Sequence, residues 1–92
     1  MMSNLLYYTA DFVYNTILLR MDGTGYSVEQ ADAGKKEIEV STRLFPFIRR
    51  RFIISIIKAN DSICSISVIQ KESNLNKIRR EKELTELLLV LF

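Results

Sequence analysis

The strongest constraint on this fold is a pattern of period two in the middle of the chain. Residues 37–45 alternate, with one side made of Ile38, Val40, Thr42 and Leu44 and the other of Glu39, Ser41 and Arg43. Successive side chains of a strand point to opposite faces, so this alternation predicts a strand with one buried and one wet face. Pro46 cannot donate to a ladder and is expected at a strand end or on an edge.

Two further strands are predicted at residues 52–57 and 63–69. The first is apolar on both sides except for Ser55, which indicates a central strand covered on both faces. The turn between them allows two registers. A two-residue loop pairs Ile57 with Cys64, and a three-residue loop pairs Ile56 with Ile66 and Ile54 with Val68. The two registers place opposite faces inward. We favour the second, because it sets Ser55 against Ser67 on the wetter face.

The first third of the chain has two interpretations. Residues 12–21 are rich in β-branched and aromatic residues, and the Asp22-Gly23-Thr24-Gly25 segment that follows is typical of a hairpin turn. We therefore favour a strand here, a returning strand at 26–30 and a turn at 31–36. The alternative is a helix from about Ser3 to Met21. It would be capped by Ser3 or Asn4 and would carry an apolar stripe of Leu6, Ala10, Val13 and Ile17.

The last twenty residues predict a helix with Ser73 or Asn74 as its N-cap. Its apolar set begins with Leu75 and Ile78, and Leu84, Leu87, Leu88 and Leu91 follow the i, i+3, i+4, i+7 spacing. Residues 77–83 are almost wholly charged, so this half is expected to be solvated or to meet a charged partner. The prediction is a single α+β domain, residues 1–92. A small antiparallel sheet of about four hairpin-connected strands packs on a C-terminal amphipathic helix.

Composition excludes several classes of function. The 92 residues contain no His and one Cys, Cys64, so mechanisms that need a Ser-His-Asp triad or a Cys-His pair are excluded. One cysteine cannot close an internal disulfide. No apolar run is long enough to span a bilayer, and the N-terminus lacks the pattern of a secretory signal. We expect a cytoplasmic, non-enzymatic protein with no catalytic residues, cofactor, metal or transmembrane segment.

Three features resemble sites but have simpler explanations. Glu37 and Glu39 share a strand face, as a catalytic carboxylate pair would, but no third group has a fixed relation to them, so we favour two solvated glutamates on the wet side of an edge strand. The Gly23-Thr24-Gly25-Tyr26 segment lacks the lysine and the spacing of a phosphate loop. Cys64 lies on an apolar strand face, where a free cysteine behaves as a small hydrophobe.

Charge is unevenly distributed. Residues 1–39 carry six acids and three bases, whereas residues 40–60 carry no acid and five bases. We call these five the basic segment: Arg43, Arg49, Arg50, Arg51 and Lys58. Phe45, Phe47 and Phe52 lie beside it, and arginines interleaved with aromatics suit phosphate contacts and base stacking. Contact with an acidic protein or protection of a sheet edge are the other interpretations.

The C-terminal apolar run, residues 87–92, is the second distinctive feature. Six consecutive apolar residues surround a helix on all sides, so one sheet face cannot bury them all. The predicted partner interface is Leu84, Leu87, Leu88, Leu91 and Phe92.

Two functional hypotheses follow. The first is a protein–protein interaction module or small accessory subunit that self-associates or docks through its C-terminal helix. The second is a small nucleic-acid-binding protein that uses the basic segment.

Overall fold

A computed structural model describes residues 5–45, 48–71 and 77–92, without the side chains of 43–45, 48, 49, 77 and 78. The elements in chain order are β1 (Leu5–Leu6), α1 (Ala10–Arg20), β2 (Ser27–Asp32), β3 (Glu37–Phe45), β4 (Ile48–Lys58), β5 (Cys64–Gln70) and α2 (Lys77–Val90). The strands form one sheet in the order β1-β5-β4-β3-β2, and each neighbouring pair is antiparallel. The predicted α+β class and the C-terminal helix are confirmed, with five strands instead of about four.

The register between β4 and β5 is the favoured one. Ile56 lies opposite Ile66, Ile54 opposite Val68, and Ser55 opposite Ser67. The Ala59 amide donates to the Ile63 carbonyl at 3.0 Å, which closes a three-residue loop. β3 spans the residues predicted for it, while β2 begins one residue later than expected and ends two later.

β4 is central, as predicted, but only one of its faces is covered. Phe52, Ile54 and Ile56 are buried in the core, while Ile57 on the other face is 54% exposed. Both helices contribute to the same core cluster as these three residues. Because both helices lie on one side of the sheet, the expectation of a strand covered on both faces is wrong.

The strand predicted at residues 12–21 is also wrong, because α1 occupies this segment. Thr9 caps the helix, its side-chain Oγ1 accepting from the Phe12 amide at 3.1 Å. Val13 and Ile17 are fully buried against the sheet. Burial of this helical stripe outweighs the β propensity of the individual residues. The alternative interpretation placed the stripe correctly, but the helix begins at Ala10 and Leu6 belongs to β1.

The glycine turn at residues 22–25 therefore joins a helix to a strand, not two strands. Gly23 and Gly25 have φ values of +82° and +92°, a region that glycine enters without strain. The predicted positions of Pro46, of the helix caps Ser73 and Asn74, and of Leu75 lie outside the described residues.

The Thr9 cap generates a stability prediction. Thr9→Ala removes the acceptor for the Phe12 amide and should lower the free energy of unfolding by about 1 kcal/mol. The measurement is urea unfolding followed by circular dichroism. Thr16→Ala, inside the same helix, is the matched control and should cost much less. An equal loss in both variants would contradict the capping role.

Candidate interaction surfaces

Two residues of the predicted partner interface on the C-terminal helix pack inside the molecule. Leu84 and Leu88 are fully buried in the core. Leu87, Leu91 and Phe92 are only partly buried against that core. A partner that binds α2 can therefore contact Leu87, Leu91 and Phe92, because the core of the same chain already covers Leu84 and Leu88.

An aromatic cluster lies where the end of α2 meets the start of α1. The ring centroids of Tyr8 and Phe12 are 5.1 Å apart and stacked, and that of Phe92 is 5.6 Å from Tyr8 and 6.3 Å from Phe12. Tyr8 and Phe12 are exposed. The Arg20 side chain donates through Nη1 to the Leu91 carbonyl at 2.8 Å, which ties the end of the chain to α1.

We define the terminal patch as Tyr8, Phe12, Val90, Leu91 and Phe92. Val90 is 80% exposed in the last turn of α2. Sequence reasoning found Leu91 and Phe92 but missed Tyr8 and Phe12. The helical interpretation contains the signal for Phe12, because its buried stripe leaves this phenylalanine off the core-facing side.

The uncovered face of the sheet is a second apolar surface that sequence reasoning missed. Leu5, Ile57 and Ile69 are each about half exposed on it. Ser65 lies between Leu5 and Ile57 in the ladder. Serines thus interrupt the apolar residues along this face.

Glu37 and Glu39 lie on this open face and have different partners. A Glu37 oxygen accepts from the Ser55 hydroxyl at 3.5 Å, while Glu39 pairs with the Lys71 ammonium at 2.9 Å. The described residues contain no group of three or more acidic or thiol side chains that could hold a metal ion.

The structure concentrates four members of the basic segment at one end of the β3–β4 ladder. Arg43 lies opposite Arg49, and the next two rows contain Arg50 and Arg51. Neighbouring residues of a strand point to opposite faces, so Arg50 is on the helix side and Arg51 on the open side. Lys58 is at the far end of β4, where it pairs with Asp61 at 3.1 Å. It does not join the arginines.

Of the aromatics expected beside the basic segment, Phe52 is not available for stacking. It is fully buried, and Tyr26 packs edge-on against it with 6.0 Å between ring centroids. Phe47 and the side chain of Phe45 lie outside the described residues.

A group of polar side chains lies at the end of the core below the first half of α2. We call it the polar corner: Tyr26, Arg50, Gln70 and Arg80. Gln70 is 1% exposed, although it carries a carboxamide. Burial raises the pKa of the Tyr26 hydroxyl, the charge of Glu83 raises it further, and Arg80 acts in the opposite direction. Sequence reasoning recognised the charged half of α2 but not what lies beneath it.

Compared with known protein families, with curated proteins and with solved structures, the chain has no significant match in any of the three. Function must therefore be inferred from the surfaces themselves. Neither of the helices in the described residues combines the length and apolarity needed to cross a membrane.

Cys64 generates a prediction on alkaline stability. The thiol is fully buried, and burial raises its pKa above the ordinary value of 9.0. Between the two pKa values the thiol of the folded protein keeps its proton, while the thiol of the unfolded chain has lost it. The contribution of this thiol to the free energy of unfolding is complete below pH 9 and is lost as the pH rises through the higher pKa of the folded protein.

The test is chemical unfolding of the parent and of Cys64→Ala between neutral and alkaline pH. The variant should lose less stability than the parent above pH 9, because it has no thiol to ionise. In the folded parent, a thiol reagent should react only at the rate of unfolding. Rapid labelling without unfolding would show that the thiol is accessible.

Proposed function

We propose that this protein is a non-enzymatic protein–protein interaction module that self-associates through the terminal patch. The observation that carries the proposal is the aromatic cluster. Three rings contact one another at the end of the helix layer, and two of them, Tyr8 and Phe12, remain exposed. Aromatic side chains bury large areas and dominate the energetics of interfaces.

A second copy of the chain is the occupant that fits this surface. The side chains of the terminal patch carry no charge of their own, and the guanidinium group of Arg20 lies beside them on the Leu91 carbonyl. In an interface about a two-fold axis each copy offers the same residues, which requires a self-complementary surface. The exposed Tyr8 and Phe12 rings offer aromatic surface against which the same rings of a second copy can pack.

The proposal includes a cytoplasmic location. Cys64, the one cysteine of the sequence, is free and buried, so the fold does not rely on an oxidising compartment.

The test measures molar mass by size-exclusion chromatography with light scattering. The parent should be a dimer or larger, and Phe12→Ser combined with Val90→Ser should shift it to the monomer. Both residues are exposed, so the fold should survive. Leu88 is unsuitable for this purpose, because a polar residue at a fully buried position would unfold the chain.

Ile57→Ser is the matched control, since it removes a half-exposed apolar side chain from the open sheet face. It should leave the dimer intact. Dissociation by Ile57→Ser but not by the Phe12 and Val90 pair would move the interface to the sheet. A parent that stays monomeric at high concentration would contradict self-association and leave a larger partner as the user of this surface.

Nucleic-acid binding is the second candidate, favoured by the position of the arginines. The ladder brings Arg43, Arg49, Arg50 and Arg51 into three successive rows at one end of β3–β4. Such a concentration of cations would displace counterions from a phosphate backbone.

This candidate predicts a steep dependence of oligonucleotide affinity on salt. Replacing Arg49, Arg50 and Arg51 with Ala should reduce the slope of log K against log salt by about 1 for each phosphate that the variant no longer neutralises. Fluorescence anisotropy with a labelled oligonucleotide measures it. Lys58→Ala is the control and should keep the parent slope, because Lys58 is remote and paired with Asp61. Equal slopes for the parent and the triple variant would remove the arginines from the site.

A further inference from the structure

We propose that the polar corner binds inorganic phosphate through Arg50, Arg80 and Gln70. This ligand site is separate from the terminal patch, and its existence does not depend on self-association.

Three elements, β4, β5 and α2, and the turn before β2 bring the polar corner together around Tyr26 and Phe52. Gln70 lies opposite Phe52 in the β4–β5 ladder, and Arg50 precedes Phe52 by two residues on the same strand face. The Tyr26 ring packs against Phe52. The first half of α2 reaches the same corner, because a Glu81 oxygen accepts from the backbone amide of Gln70 at 2.6 Å. The charge of the neighbouring Arg80 lowers the pKa of the Tyr26 hydroxyl.

Arg50 is also tied to Tyr26 through β3. It lies opposite Thr42, whose hydroxyl donates to the carbonyl of Gly25 at 2.9 Å. Gly25 is the residue before Tyr26. The two arginines therefore approach the tyrosine from different elements, one from the sheet and one from the helix.

In the part of the chain that the structure describes, the buried side-chain polar atoms without partners belong to the residues of this corner. Among the described residues, the buried side-chain nitrogens and oxygens that lack a hydrogen-bond partner are Nε of Arg50, Nε of Arg80, and both Nε2 and Oε1 of Gln70. Nearly all buried polar groups of folded proteins have a partner. Four such atoms on three residues at one place indicate a site built for a polar ligand.

Among the described residues, the carboxylates of Glu81 and Glu83 are already engaged. Glu83 pairs with Arg79 at 3.3 Å, and an oxygen of Glu81 accepts from the backbone amide nitrogen of Gln70 at 2.6 Å. Within the described part of the chain, Arg50 and Arg80 form no ion pair. Both residues are half-buried, so part of each side chain is open to solvent although its Nε atom is buried. Two such cations favour an anion.

The set of unpaired atoms selects phosphate among the common oxyanions. Three of them are N–H donors and suit the oxygens of a tetrahedral anion. The fourth, Oε1 of Gln70, is an acceptor and needs a donor. Near neutral pH inorganic phosphate retains a protonated oxygen that can donate to it, whereas sulfate has none. Phosphate should therefore bind more tightly than sulfate.

The experiment follows thermal unfolding of the full chain in sodium phosphate, sodium sulfate and sodium chloride at equal ionic strength. Phosphate should raise Tm with a saturating dependence on concentration, and sulfate should raise it less. Phosphorus NMR of inorganic phosphate titrated with the protein gives the affinity directly. Indistinguishable Tm values in the three salts, together with unbroadened phosphate resonances, would overturn the proposal.

The variants Arg50→Gln and Arg80→Gln should each weaken phosphate affinity roughly tenfold or more, because each removes a charged donor. Gln70→Leu should also weaken it, while its Tm without phosphate should not fall, since the variant removes two unpaired buried atoms. Arg51→Gln is the matched control, one residue from Arg50 but on the open face. Parental affinity in both Arg50→Gln and Arg80→Gln would overturn the assignment.

An oligonucleotide distinguishes this site from a nucleic-acid interface. Single-stranded thymidine oligomers should bind no more tightly through Arg50 and Arg80 than inorganic phosphate does. Tight oligomer binding that depends on these arginines, with no response to inorganic phosphate, would overturn the small-molecule site in favour of the nucleic-acid candidate.

Discussion

The two helices lie on the same face of the five-stranded sheet, and the remaining architecture depends on this one-sided burial. Phe52 and Ile54, in the central strand, form the floor of a core that α1 covers with Val13 and Ile17 and α2 covers with Leu84. Successive side chains of β4 point to opposite faces, so Ile54 and Ile56 on the helix side are buried while Ile57 on the other face remains half exposed. One hydrophobic layer therefore stabilises the fold, and the opposite face is left for solvent or for other contacts.

Within this layer, α2 divides into two halves with different roles. Leu84 and Leu88 anchor it to the sheet, and the turn beyond them carries Val90 out to the surface. The other half brings charges over the end of the sheet, where Glu81 accepts from the backbone of Gln70. The apolar surface and the unpaired polar groups thus lie towards opposite ends of one helix. Self-association at one end and ligand binding at the other would not compete for the same residues.

The sheet was largely predictable because its signals are local. The alternation in β3 and the pairing of Ser55 with Ser67 both follow from the rule that successive side chains face opposite ways. The helix α1 was only the alternative interpretation, because its β-branched and aromatic residues fit both a strand pattern and a helical stripe. Tertiary contact decides between them: only as a helix do Val13 and Ile17 reach the core together. The helical conformation of α1 also explains why Phe12 is exposed and why it can join the aromatic cluster.

By itself, the sequence determined the α+β class, the register of the β4–β5 hairpin and the position of the C-terminal helix. Each of these depends on periodicity or turn chemistry within a short stretch of chain. Only the tertiary structure decided which apolar residues stay outside and which polar residues become buried. Gln70 is next to Lys71 in sequence and would ordinarily be expected in solvent, yet it lies inside because it faces Phe52 beneath α2. Burial is a property of what other elements cover, and distant parts of the chain supply that cover.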